Sequence, residues 1–90
     1  MTTTKHWTVD LLIDEHTDAR DTRVEARLHA GDRMETGIGT ARRNPVDQNI
    51  PMIGDELATA RALFDLAHHL LEVAARDIEQ SSHERARVRA

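Results

Sequence analysis

The residues best placed to do chemistry cluster around the adjacent pair His68-His69. Asp65 precedes His69 by four residues and Glu72 follows His68 by four. On a helix that spacing puts a histidine and a carboxylate on one face, the arrangement by which helices hold metal ions. Neighbouring helical residues point about 100° apart, so the two rings cannot share an ion. Each His–carboxylate pair supplies two ligands where a zinc site takes three or four from the protein. The expectation is a solvated helix face, with no metal and no cofactor.

Nucleophilic catalysis needs a hydroxyl or thiol beside a base. The chain has no cysteine, and its only serines, Ser81 and Ser82, stand with His83 where the apolar pattern has ended. Asp10 and Asp14 share one face of a strand, but no partner in the pattern equips them for acid–base duty. Gly37-Ile38-Gly39 opens like a dinucleotide fingerprint, yet the third glycine is missing and Asn44-Pro45 follows where a helix should begin. The chain is read as a non-enzyme.

The remaining constellation is basic. Arg23 and Arg27 share the polar face of one strand, and Arg42 and Arg43 end the next, a modest patch for an RNA or another partner. The charge balance sets limits on it. Residues 1–54 carry seven basic and nine acidic groups; residues 55–80 carry two and six; residues 81–90 carry three and one, for −4 overall. An acidic helix is a poor counterion-displacing surface, and one Trp, one Phe and no Tyr make a poor base-stacking platform. No apolar run approaches the 18 or so residues of a membrane span. Residues 1–6 lack the apolar stretch of a signal peptide. With no cysteine in the chain, these features fit a cytoplasmic protein.

Ninety residues make one domain with a thin core. Lys5 to Asp14 reads as a strand, with Trp7, Val9, Leu11 and Ile13 on one face. Glu15 to Asp21 reads as a hairpin loop. Thr22 to Ala30 is a second strand, with Thr22, Val24, Ala26, Leu28 and Ala30 inward. Gly31-Asp32 has the order of a type II′ turn, and Arg33 to Arg43 forms the third strand. Two glycines on one face of that strand, Gly37 and Gly39, mark a place where something packs directly on backbone. The segment 44–52, with Val46, Ile50 and Met52, is expected to fold back on the core. A helix capped by Gly54 or Asp55 runs to about Gln80, between flexible ends at 1–4 and 81–90. Strands first and a helix afterwards make an α+β fold, a three-stranded antiparallel sheet followed by one long helix.

The apolar residues of that helix cover far more of its circumference than the roughly 100° stripe of an ordinary surface helix. One small sheet cannot cover so wide an arc, and Leu57, Phe64, Leu71 and Ile78 with Leu63 are assigned to it. Leu66, Leu70 and Val73 are then left for a second copy of the chain, unless the 44–52 loop covers them. The expectation is a homodimer joined through Leu66, Leu70 and Val73. Ala60, Ala67 and Ala74 repeat every seven residues between the two sides, a stripe that permits close approach. Arg61/Asp65 and Glu72/Arg76 are spaced as i, i+4 pairs.

Gly37-Ile38-Gly39-Thr40-Ala41-Arg42-Arg43-Asn44-Pro45 and Ile53-Gly54-Asp55-Glu56-Leu57-Ala58, with Trp7, Arg61-Ala62-Leu63, Asp65-Leu66-Ala67 and Asp77-Ile78, resemble the pattern of an actinobacterial family of small proteins of unknown function. It is the family of a mycobacterial dormancy-regulon protein that has been compared with ribosome hibernation promoting factors. The resemblance spans about residues 5–80. It implies a double-stranded-RNA-binding-domain-like fold in a homodimer, and a stress- or dormancy-associated role at the ribosome or another RNA. It carries over no catalytic residue. The alternative is a homodimeric protein-interaction module that binds no nucleic acid.

Overall fold

The alternation in the second strand dictates a sheet with one buried face, and the helix supplies the cover. A computed structural model describes residues 1–16, 18–44 and 47–82. Strand β1 spans Thr8–His16, β2 Asp21–Ala30, β3 Arg33–Arg42, and helix α1 Pro51–Ser82. The sheet is antiparallel in the order β1-β2-β3. Each row of the sheet can be read straight across: Leu11 lies opposite Ala26, and Ala26 opposite Gly37. Gly31, at φ 66°, turns β2 into β3 with the positive φ a type II′ turn requires at that position.

The core is small and made of small residues. Val24, Ala26, Leu28 and Ala41 of the sheet are buried against Ala58, Ala62 and Leu66 of the helix. The glycine pair explains this choice. A Cβ built on Gly37 would stand 2.5 Å from the Ala62 carbonyl oxygen, and one built on Gly39 would collide with the backbone of Ala58 and Ala62. The helix therefore lies directly on the β3 backbone. An alanine face fits so close an approach, and a leucine or phenylalanine face would hold the helix off.

This overturns the expected assignment of helix faces. Leu66 is 4% exposed and belongs to the core of its own chain, and Leu70 packs beside it. Val73 is half-buried. Leu66 is therefore closed to a partner, while Leu70 and Val73 each keep part of their surface outside the core. The residues expected on the sheet are turned outward instead: Phe64 is 77% exposed, and Leu57, Leu63 and Ile78 are exposed too, with Leu71 half-buried.

The helix begins at Pro51, earlier than expected, where a proline costs nothing because the first N–H groups of a helix have no internal partner. Gly54 and Asp55 are thus helical rather than caps. Ile50 and Met52 are exposed and do not fold onto the core as expected; Pro45 and Val46 lie outside the described residues. Ser81 and Ser82 close the helix, the Ser82 hydroxyl donating to the Ile78 carbonyl at 2.7 Å. The rest of the expected tail, with His83, lies outside the described residues. At about 1.5 Å per residue, a 32-residue helix is about 48 Å long and overhangs strands of about 33 Å.

Candidate functional site

Three surfaces follow from this arrangement: the outer face of the sheet, the cavity at one end of it, and the apolar face shared by β1 and α1.

The outer face carries Arg23 and Arg27, each set against an aspartate by the register. Asp14 lies opposite Arg23, and Asp10 opposite Arg27. Arg27 is paired with Glu25, and His29 Nε2 lies 3.0 Å from Asp10 Oδ2. Arg42, opposite Asp21, is a diagonal neighbour of Arg23. Three arginines interleaved with Asp10, Asp14, Asp21 and Glu25 give a mosaic of both signs, not a positive stripe.

Arg43 is tied toward the start of the helix and away from Arg23 and Arg27 of the expected patch. Its N–H donates to the Arg20 carbonyl at 2.8 Å and its guanidinium to the Asp47 carbonyl at 2.7 Å. Arg20 itself takes a positive φ of 56° to turn the chain into β2. Arg20, Arg42 and Arg43 thereby line a cavity of about 390 Å³ between the end of the sheet and the start of α1. Glu15 and Asp21 line it as well. The protonated Glu15 carboxyl donates a hydrogen bond to Asp55, and this bond, with the repulsion between the two acids, raises the Glu15 carboxyl above its ordinary range. Sequence reasoning missed both Arg20 and the Glu15–Asp55 pair, because they meet only when the β1–β2 turn closes on the helix start. Mixed charge of this kind does not make an anion cradle.

The helical acids and histidines divide in the same unforeseen way. Arg61 and Asp65 do not pair with each other. Asp65 Oδ2 accepts from the Ile38 N–H at 2.8 Å, and the Arg61 guanidinium donates to the Thr40 carbonyl at 2.8 Å. Both backbone groups point out of the free edge of β3, so the helix side chains clasp the edge that another strand would otherwise join. His68 meets Glu72 at 3.3 Å on the exposed face. Near the overhang, Arg33 bridges to Asp77 at 3.1 Å.

The largest feature is apolar. The helix lies over β2 and β3 and barely reaches β1. Register puts Val9, Leu11 and Ile13 on the helix side of the sheet, opposite Leu28, Ala26 and Val24. Yet they remain 42–44% exposed, where Val24 is wholly buried. On the helix, Leu57, Leu63, Phe64 and Ile78 are exposed as well.

The model of the Rv2632c-like family matches residues 5–87. The chain belongs to that family. Its family relatives include the uncharacterized protein Mb1767 of Mycobacterium bovis, 50% identical over 84 residues, covering 93% of this chain and 87% of that protein. The uncharacterized protein Rv2632c of Mycobacterium tuberculosis is 50% identical over 76 residues, 84% of this chain and 80% of its own length. The crystal structure of Rv2632c superposes with a TM-score of 0.82 at 44% identity, covering 92% of this chain and 96% of that one. The expected family of small actinobacterial proteins is thus the right one, and the βββα order is its fold. Among the described residues, no helix of this family member is long and apolar enough to cross a membrane.

Proposed function

We propose that this protein is a non-enzymatic, homodimeric interaction module of the cytoplasm, whose first partner is a second copy of itself. The observation that carries the reading is the bare shelf of β1 and α1. Trp7, Val9, Leu11, Ile13, Leu57, Leu63, Phe64 and Ile78 are 40–77% exposed. With roughly 150–250 Å² on an aromatic side chain and somewhat less on an aliphatic one, they leave on the order of 700 Å² of apolar surface per copy. That exceeds the roughly 300–600 Å² of the largest patch on a typical monomer. It approaches the roughly 800 Å² per partner of a stable interface. The homodimer proposed here is centred on Leu63 and Phe64, not on the Leu66, Leu70 and Val73 surface expected from the sequence.

Sedimentation equilibrium at micromolar concentration tests this. The wild-type chain sediments at twice the 10.2 kDa of one copy. Phe64→Asp, which puts a charge at the centre of the shelf without touching the core, sediments as one. A wild-type mass of a single chain refutes the reading.

A second reading, ribosome or RNA contact in a stress or dormancy response, is favoured by the gathering of Arg20, Arg42 and Arg43 at one end of the sheet, doubled in a dimer. The acids interleaved with them weigh against it, since affinity for phosphate backbones comes from releasing counterions to uncompensated cations. Co-sedimentation with ribosomes across a salt series separates the two. Binding at low salt that falls steeply as salt rises supports RNA contact, and none at low salt leaves the protein-interaction module.

A further inference from the structure

The pattern on α1 says how the two copies meet, an inference that rests on the homodimer proposed above. The helix has four differently dressed sides. Ala58, Ala62 and Leu66 lie on its own sheet. Arg61 and Asp65 face the outer edge of β3, which their hydrogen bonds fix. Leu63 sits about 200° from each of them by helical geometry, on the side toward β1, and Leu70 shares that side. Leu57, Phe64, Leu71 and Ile78 recur every seven residues and form a ridge facing away from the sheet. An apolar ridge there has nothing in its own chain to lie against.

We propose that two copies stack as sheet, paired helices, sheet, so that each helix is held between its own β2–β3 and the β1 shelf of its partner. The ridge of Leu57, Phe64 and Leu71 carries the partner's β1, and Leu63 and Leu70 meet the partner's helix. The surface is self-complementary. The helix projects by its own diameter, about 10 Å, above a bare strand beside it, and a two-fold axis drops each helix onto the other's shelf. Such an isologous contact closes on itself. It covers both halves of the apolar surface at once and leaves only the charged side of the helix in water.

The competing arrangement, edge-to-edge pairing of β1 with β1, extends the sheet but leaves the heptad ridge bare. Pairing through β3 is closed off by the Arg61 and Asp65 clasp.

The chain has no cysteine, which makes the test direct. Leu11 stands in one row with Ala26 and Gly37. Phe64 lies on the helix between Ala62 and Leu66, the residues that touch Gly37, so the two are at one height along the sheet. Leu11→Cys and Phe64→Cys, combined in one chain and mildly oxidised, form a covalent dimer on a non-reducing gel, and either change alone does not. Ile13→Cys with Leu57→Cys is a second pair, and far-UV circular dichroism confirms that each variant folds. A dimeric mass with cross-linking by Leu11→Cys alone, or by neither pair, overturns the stacked arrangement and leaves the homodimer standing. A single-chain mass overturns both.

Discussion

Gly37→Ala is the sharpest probe of how the helix and sheet are joined. The added methyl would meet the Ala62 carbonyl oxygen at 2.5 Å and the Leu66 Cα at 2.7 Å. Both belong to the backbone of a continuous 32-residue helix, so neither can rotate aside. The helix must lift from β3, loosening the contact of Ala58 and Ala62 with the sheet. Overpacking of this kind costs about 1–3 kcal/mol, and rigid backbone on both sides argues for the upper end. Alanine restricts the unfolded chain and returns about 0.4–1 kcal/mol. The expected net loss is about 2 kcal/mol, a large share of the roughly 5–15 kcal/mol that holds a domain together. For a domain of this size that lowers the melting temperature by about 8–16 °C. The assay is urea and thermal unfolding at one fixed protein concentration, because a dimer's midpoint depends on it. Gly31→Ala is the control: its Cβ meets nothing, and it pays only for a positive φ, about 1–2 kcal/mol. If Gly37→Ala unfolds within about 0.5 kcal/mol of wild type, the range of unremarkable surface changes, helix and sheet do not meet as described.

Further expectations concern the edge clasp and the acid pair. Asp65→Ala frees the Ile38 N–H and costs about 0.5–1.5 kcal/mol; it also opens the β3 edge, so light scattering on prolonged incubation rises above that of wild type. Equal scattering and equal stability would remove the clasp as a protective device. For Glu15, the folded-state pKa is raised above the unfolded value. Its contribution is therefore favourable in acid, below the unfolded pKa, and is lost as pH rises through the folded one, where two like charges face each other. Glu15→Gln keeps a donor toward Asp55 without the charge, so the urea midpoint of the variant exceeds that of wild type at pH 7 and converges on it in acid. A variant less stable than wild type at pH 7 would contradict the pairing.

Much of the architecture is legible without coordinates. Thr22, Val24, Ala26 and Leu28 alternate because a half-buried strand must, and Gly31-Asp32 turns because few other pairs can. Gly37 and Gly39 signal a close approach from the strand alone, but that the helix is what approaches is decided only by the tertiary fold. The Glu15–Asp55 contact and the gathering of Arg20 with Arg42 and Arg43 join residues far apart in sequence through a turn and a helix start, and no local pattern encodes them.

The excess of apolar circumference on α1 is a property of the sequence, since it follows from the types and spacing of residues 57–78 alone. Which part of that circumference meets the sheet is not. The apolar residues of α1 offer Leu57 and Phe64 for the interior as readily as Ala58 and Ala62, but two glycines on β3 make a flat strip of backbone. Close contact with such a strip is won by the smallest face of the helix, Ala58 and Ala62. Packing complementarity between two distant segments decides the orientation, and it thereby turns the large residues outward.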